Sequence, residues 1–86
     1  MAEIIVYTLT TCPFCVRAIE LLNNKGLSYK EIITDGNTEL REESKKLSGG
    51  KTSVPQIFIN GVSVGGCDEL YAADANGELD RLLRGN

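Results

Sequence analysis

Two cysteines three positions apart, in Cys12-Pro13-Phe14-Cys15, follow closely on an apolar, β-branched and aromatic run, Ile4-Ile5-Val6-Tyr7. That junction constrains the fold more than any other feature of the chain. A near-continuous apolar run has the composition of a strand buried on both faces. We therefore predict a strand over Glu3–Tyr7, followed by a short Leu9-Thr10-Thr11 loop. From Pro13 the apolar spacing turns helical. Phe14, Ala18, Leu21 and Leu22 form one stripe, with Cys15 and Ile19 beside it. Proline fits the first turn of a helix, where its missing N–H is not needed. Thr11 or Cys12 is then left in the capping region, and Lys25-Gly26 ends the helix. The cysteine pair sits where a buried strand hands over to a helix N-terminus.

The rest of the chain extends this into a layered α/β domain. Leu27–Ile33 reads as a second strand, and the strand–helix–strand order implies a parallel pair joined by a right-handed crossover. Asp35-Gly36-Asn37 is a turn. Thr38–Leu47 reads as a second helix with Leu40 and Leu47 as nearly its only apolar anchors, so it is expected to pack least tightly. Ser48-Gly49-Gly50 ends it. Gln56–Ile59 and Val62–Val64 flank Asn60-Gly61, a strong hairpin signal. Gly65-Gly66 is a turn, and Asp68 can cap a short helix running through Ala75. Asn76-Gly77 interrupts that helix, and Leu79, Leu82 and Leu83 add a final amphipathic turn or two. The order β-α-β-α-β-β-α predicts a single domain over residues 1–86 with a mixed sheet.

Composition narrows the chemistry. The 86 residues include no His and no Trp, which removes histidine-based metal sites and Ser-His-Asp catalysis. The net charge is −3, with no basic cluster beyond Lys45-Lys46, so a nucleic-acid partner is not expected. No apolar run approaches the ~18 residues of a membrane span, and no positively charged leader opens the chain. A cytoplasmic protein without membrane association is the expectation. Three cysteines occur, Cys12, Cys15 and Cys67. An odd count in such a chain does not describe a disulfide scaffold.

A cysteine pair at a helix start is suited to redox chemistry. The thiolate, not the thiol, attacks a disulfide. A helix N-terminus offers unpaired N–H groups and a partial positive charge, which favour the thiolate at Cys12. Cys15 lies ~4.5 Å further along the axis and on the same side, compatible with the ~4.4–6.8 Å Cα separation of a disulfide. Cys12 is then the exposed, attacking thiol and Cys15 the covered, resolving one. The same pair is open to other uses. It forms half of a zinc site if Cys67 and a carboxylate or water complete the set. It can also hold an iron–sulfur cluster between two chains.

Three further residues remain open at this level. Pro55 is either an ordinary first residue of a strand or a cis proline, with Val54 presenting its backbone to an extended peptide. Cys67 reads as a small, partly buried residue beside a glycine turn. Gly66-Cys67-Asp68 can bind an anion through helix-start N–H groups, and Asp68 can also be a plain cap.

Taken together these segments resemble the glutaredoxins of the dithiol class. Cys12-Pro13-Phe14-Cys15 with Arg17-Ala18 resembles that family's Cys-Pro-Tyr-Cys-x-Arg-Ala motif. Thr52-Ser53-Val54-Pro55-Gln56-Ile57-Phe58-Ile59 is similar to its Thr-Val-Pro-Gln-Ile-Phe-Ile segment. Gly65-Gly66-Cys67-Asp68-Glu69-Leu70 resembles Gly-Gly-Cys-Asp-Asp-Leu. Asp35-Gly36-Asn37 and Leu70-Tyr71-Ala72 add matches, so the likeness spans the chain and is strongest to small bacterial members.

The resemblance implies a thioredoxin fold, with a four-stranded mixed sheet flanked by helices, and a monomer. It implies a glutathione-dependent thiol–disulfide oxidoreductase with glutathione as electron donor and no metal. Cys12 is then the nucleophile and Cys15 the resolving thiol, forming a redox-active Cys12–Cys15 disulfide. Phe14 packs on glutathione, and Val54 pairs its backbone with the cysteinyl part beside a cis Pro55. Thr52 and Ser53 flank that groove. Cys67 and Asp68 meet the γ-glutamyl end, and Arg41 meets the glycine carboxylate. The implied partners are glutathionylated or disulfide-containing proteins, with ribonucleotide reductase among them at family level, and indirectly glutathione reductase with NADPH.

Three departures from the family pattern stand out. Leu9 occupies the place of a usual Lys, Phe14 replaces the common Tyr, and Ser48-Gly49-Gly50-Lys51 is one residue longer than the usual loop. Without the Lys, positive charge at the site falls to the helix dipole, Arg41 and Lys51. Two alternatives accompany the main reading. One is a related redoxin reduced by thioredoxin reductase, against which Val54, Cys67, Asp68 and Arg41 argue. The other is a non-enzymatic iron–sulfur carrier, against which Pro13 argues, since cluster-holding members usually have Gly or Ser there.

Overall fold

The computed structural model describes residues 2–85; Met1 and Asn86, the ends of the expected domain, lie outside the described residues. The chain runs β1 (Ile4–Thr8), α1 (Pro13–Asn24), β2 (Lys30–Ile33), α2 (Thr38–Leu47), β3 (Gln56–Ile59), β4 (Val62–Gly65), α3 (Cys67–Asn76) and α4 (Glu78–Arg84). The sheet order is β2-β1-β3-β4. β1 pairs parallel with β2 and antiparallel with β3, and β3 pairs antiparallel with β4. The mixed four-stranded sheet expected from the sequence is therefore present, with the apolar first strand near its middle.

Alternation along the strands sorts two faces. Ile4 and Val6 of β1, with Ile57 and Ile59 of β3, point into a core shared with Ala18, Leu21 and Leu22 of α1, Leu70 and Ala73 of α3, and Leu79 of α4. Leu22 is wholly buried there, so truncating it to Ala would cost about 2–5 kcal/mol. On the opposite face Tyr7 and Phe58 meet edge to face, their ring centroids 5.7 Å apart. The Tyr7 hydroxyl donates to the Glu43 carboxylate of α2. Burial first, then that carboxylate, push the tyrosine up to about 12.

Several local expectations need correction. The second strand starts at Lys30 rather than Leu27; Leu27 and Tyr29 pack against the core without joining the ladder. Phe14 belongs to the apolar stripe of α1 by spacing but is 53% exposed, because it sits in the first turn, above the core. Leu47 is 57% exposed, lying at the rim of a cavity shared with Tyr7 and Phe58 rather than in the core, and Ser44 is the buried residue of α2. Asp68 is not the helix cap, since Gly66 holds that position and α3 runs from Cys67 to Asn76. The expected break does fall at Gly77, with a φ of +85°, and the final turns form the separate α4.

Other local signals match. Asn37 caps α2 by accepting the Leu40 N–H at 3.0 Å. Asn60 and Gly61 both take positive φ, 51° and 82°, as a tight two-residue hairpin requires. Asn60 also exchanges hydrogen bonds with Glu3, its N–H to the Glu3 carbonyl at 2.8 Å and the Glu3 N–H to its Oδ1 at 3.0 Å. Its Nδ2 donates to the Leu82 carbonyl of α4 at 2.8 Å.

Candidate active site

The cysteine pair is delivered by the end of β1. The Leu9–Thr11 loop is tied to the turn after β2, where the Asp35 carboxylate accepts from the Thr10 N–H at 2.9 Å and from its hydroxyl at 2.6 Å. Those bonds hold the Asp35 carboxyl below its ordinary value. Cys12 then takes an extended conformation and caps α1, with Pro13 as the first helical residue. Its Sγ accepts the Cys15 N–H at 3.2 Å and lies 3.7 Å from the Val54 carbonyl oxygen. All three cysteines are free thiols.

The two thiols differ as their places predict. Cys12 is partly accessible, and Cys15 is 3% exposed under the first turn of α1. Burial pushes the Cys15 thiol up to about 12, the side-chain hydrogen bond with Cys12 adds to this, and the Glu31 carboxylate raises it further. Cys15 therefore stays protonated near neutrality until the reaction draws its proton away. The Cys67 thiol is also raised, chiefly by burial, with Arg17 pulling it partly back.

Phe14, Ser53, Val54, Pro55, Cys67 and Asp68 line one groove of about 160 Å³. The Val54–Pro55 peptide is cis. Three segments far apart in sequence converge there: the start of α1, the loop before β3, and the start of α3. Arg41 stands outside this set, exposed on α2. Thr52 is exposed and does not line the groove, and Leu9 lines a separate cavity of about 370 Å³ with Cys15, Val16 and Glu31.

Gly66, expected at the anion-binding helix start, also lines the groove, and so does Glu69, to which the sequence assigns no role. Glu69 Oε1 accepts the Gly66 N–H at 2.7 Å and closes the first turn of α3. A glutamate three residues after a cap is a recognisable half of a capping box, but glycine at the cap hides the pattern. Arg17 lies over the Tyr71 ring, 5.7 Å from its centroid, and its carbonyl accepts the Tyr71 hydroxyl at 2.9 Å. That clasp holds α1 and α3 side by side. Among the described residues no three His, Cys, Asp or Glu side chains converge as metal ligands.

The model of the family described as Glutaredoxin matches residues 4–64. The chain belongs to the glutaredoxin family. It is 55% identical to Glutaredoxin 3 of Escherichia coli over 84 residues, covering 98% of this chain and 100% of that relative. Among solved structures, the solution structure of glutaredoxin from Brucella melitensis superposes with a TM-score of 0.83 at 48% identity, covering 96% of this chain and 89% of that one. The buckwheat glutaredoxin–glutathione complex superposes with a TM-score of 0.86 at 26% identity, covering 98% of this chain and 78% of that one. The sheet and helices described above are thus a thioredoxin fold, and this glutaredoxin is a thiol–disulfide oxidoreductase with a Cys12/Cys15 dithiol.

Proposed function

We propose that this glutaredoxin draws its electrons from glutathione, and that the groove beside Cys12 binds the glutathionyl half of the substrate. The observation that carries the reading is the setting of Cys12 Sγ. It faces the Val54 carbonyl at 3.7 Å, and Val54 lines the groove together with the start of α3. An extended peptide laid along Val54 brings its cysteinyl sulfur to Cys12. Its γ-glutamyl carboxylate meets the N–H groups that open α3, and its ammonium meets the Asp68 carboxylate. Phe14 supplies an apolar wall, and Ser53 and Pro55 flank the backbone contact. Arg41 reaches the glycine carboxylate only by extending from α2.

In the monothiol route the Cys12 thiolate attacks the glutathione sulfur of a protein–glutathione mixed disulfide. A Cys12–glutathione bond forms, and the protein sulfur leaves as a thiolate that takes up a proton. A second glutathione thiolate attacks that glutathione sulfur, releasing the Cys12 thiolate and glutathione disulfide. In the dithiol route Cys12 attacks a protein disulfide. Cys15 then gives up its proton and attacks the Cys12 sulfur, which releases the second protein thiol and leaves a Cys12–Cys15 disulfide for two glutathiones to reduce. Glutathione reductase with NADPH restores the pool. The protein substrates and a cytoplasmic setting belong to the same proposal, supported by the reduced state this chemistry requires.

The test is reduction of a small glutathione mixed disulfide, coupled through glutathione reductase to NADPH. Activity is expected in wild type and Cys15→Ser and absent in Cys12→Ser, while reduction of a protein disulfide is lost in both variants. A folded, reduced wild type that turns over no glutathione mixed disulfide would refute the reading.

A further inference from the structure

Gln56 opens β3 immediately after the cis Val54–Pro55 peptide and pairs with Tyr7 of β1. Its side chain is 1% exposed, and its amide is satisfied on one side only. Nε2 donates to the Ser53 carbonyl at 2.8 Å and to the Ser53 hydroxyl at 3.2 Å. Oε1 is buried without a hydrogen-bond partner among the described residues. Chemistry fixes which end points where: the reverse orientation would set two acceptor oxygens, Oε1 and the Ser53 carbonyl, at hydrogen-bond distance.

A half-satisfied buried amide is a poor choice for stability. An apolar side chain of the same length fills the same volume without stranding a carbonyl away from water. The value of the amide therefore lies in what Nε2 holds. It holds Ser53, in a stretch from Lys51 to Pro55 that belongs to no helix or strand. The next residue is Val54, whose carbonyl faces Cys12 Sγ at 3.7 Å, and both Ser53 and Val54 line the groove. A backbone that must pair with an extended ligand binds better when it is ordered in advance.

We propose that Gln56 is a positioning residue: its buried amide anchors Ser53, and so sets the Val54 backbone for the substrate beside Cys12 before the substrate arrives. The residue touches neither the reacting sulfurs nor the bound peptide. The assignment rests on the reading of the groove as the glutathionyl site.

The experiment compares full-length wild type with Gln56→Met, which keeps the length and volume and loses the donor. The assay is reduction of a glutathionylated peptide coupled through glutathione reductase. KM is expected to rise roughly fivefold to tenfold with kcat within about twofold, the signature of lost binding without lost chemistry. The melting temperature is expected to stay close to that of wild type, because the two bonds to Ser53 and the unpartnered Oε1 are lost together. Amide hydrogen exchange at Ser53 and Val54 is expected to quicken by at least the same factor. KM within about twofold of wild type, a fall in kcat alone, or a variant that fails to fold would each overturn the assignment. Wild type without saturable turnover of the peptide would remove the glutathionyl reading and this assignment together. A saturable wild type beside an unchanged variant removes the assignment only.

Discussion

The buried thiol of Cys15 should make the folded state weaken above about pH 9, and Cys15→Ser should abolish that share of the weakening. In an unfolded chain the thiol ionises near 9.0, whereas burial and Cys12 hold it protonated up to about 12 in the fold. Between those values the unfolded state sheds a proton that the folded state keeps. Stability contributed by the protonated thiol is intact below pH 9 and is lost as pH climbs toward the folded value. The slope approaches about 1.4 kcal/mol per pH unit. From pH 8 to pH 10 Cys15 alone removes roughly 1–2 kcal/mol, a sizeable part of the ~5–15 kcal/mol that holds a small domain folded. Urea unfolding of the reduced protein at pH 8, 9 and 10 measures this directly. Tyr7, which ordinarily ionises at 10.0 and is held up to about 12, begins to contribute in the same direction by pH 10, but it is present in both proteins and cancels in the comparison. Cys67, raised as well, is present in both proteins and cancels in the comparison. Wild type should lose stability more steeply than Cys15→Ser. Parallel curves would refute the argument that burial governs this thiol.

Two further predictions concern the groove and its frame. Gly65 has φ +115°, and a Cβ there would come within 2.9 Å of Glu69 Cγ. Gly65→Ala should therefore lower stability by roughly 1–3 kcal/mol, read as a drop in melting temperature, and adding Glu69→Ala should relieve the Cγ contact but leave both the Cβ contact at 3.0 Å and the backbone strain. Asp68→Ala should raise KM for a glutathione mixed disulfide about tenfold or more, as expected for a lost charge-assisted hydrogen bond. Arg41→Ala, outside the groove, should change KM less than about threefold; equal effects of the two variants in one steady-state assay would show that Arg41 bends into the site.

Local signals carried most of the fold. The bounds of α2 and β3 and the Asn60-Gly61 hairpin were readable because each depends on a few neighbouring residues. Leu27 and Tyr29 have the composition of a strand, yet they serve the core from outside the ladder, so β2 is three residues shorter than its composition predicts. Helical spacing put Phe14 inside, but spacing does not report whether anything lies above the first turn. Asp68 reads as a cap because its side chain can accept a helix-start N–H; the helix starts earlier, at Cys67, and the Glu69 carboxylate takes the Gly66 N–H. The cysteine pair, Val54 and Asp68 stood out through short motifs. Gln56 and Glu69 lie inside those motifs without a role that the motifs disclose, and Glu31 lies outside them, since the importance of all three comes from what the sheet and helices place beside them.

Asn60 ties Glu3, just before β1, to the last helix through Leu82. β1 then runs away from that knot for five residues before the cysteine loop begins, a distance of roughly 17 Å. Probes attached near either end of the described chain would gather at the pole opposite Cys12. Immobilisation or labelling through those positions should leave the sulfur chemistry facing outward, and a dye pair there would report the opening of the hairpin–helix knot separately from events at the thiols.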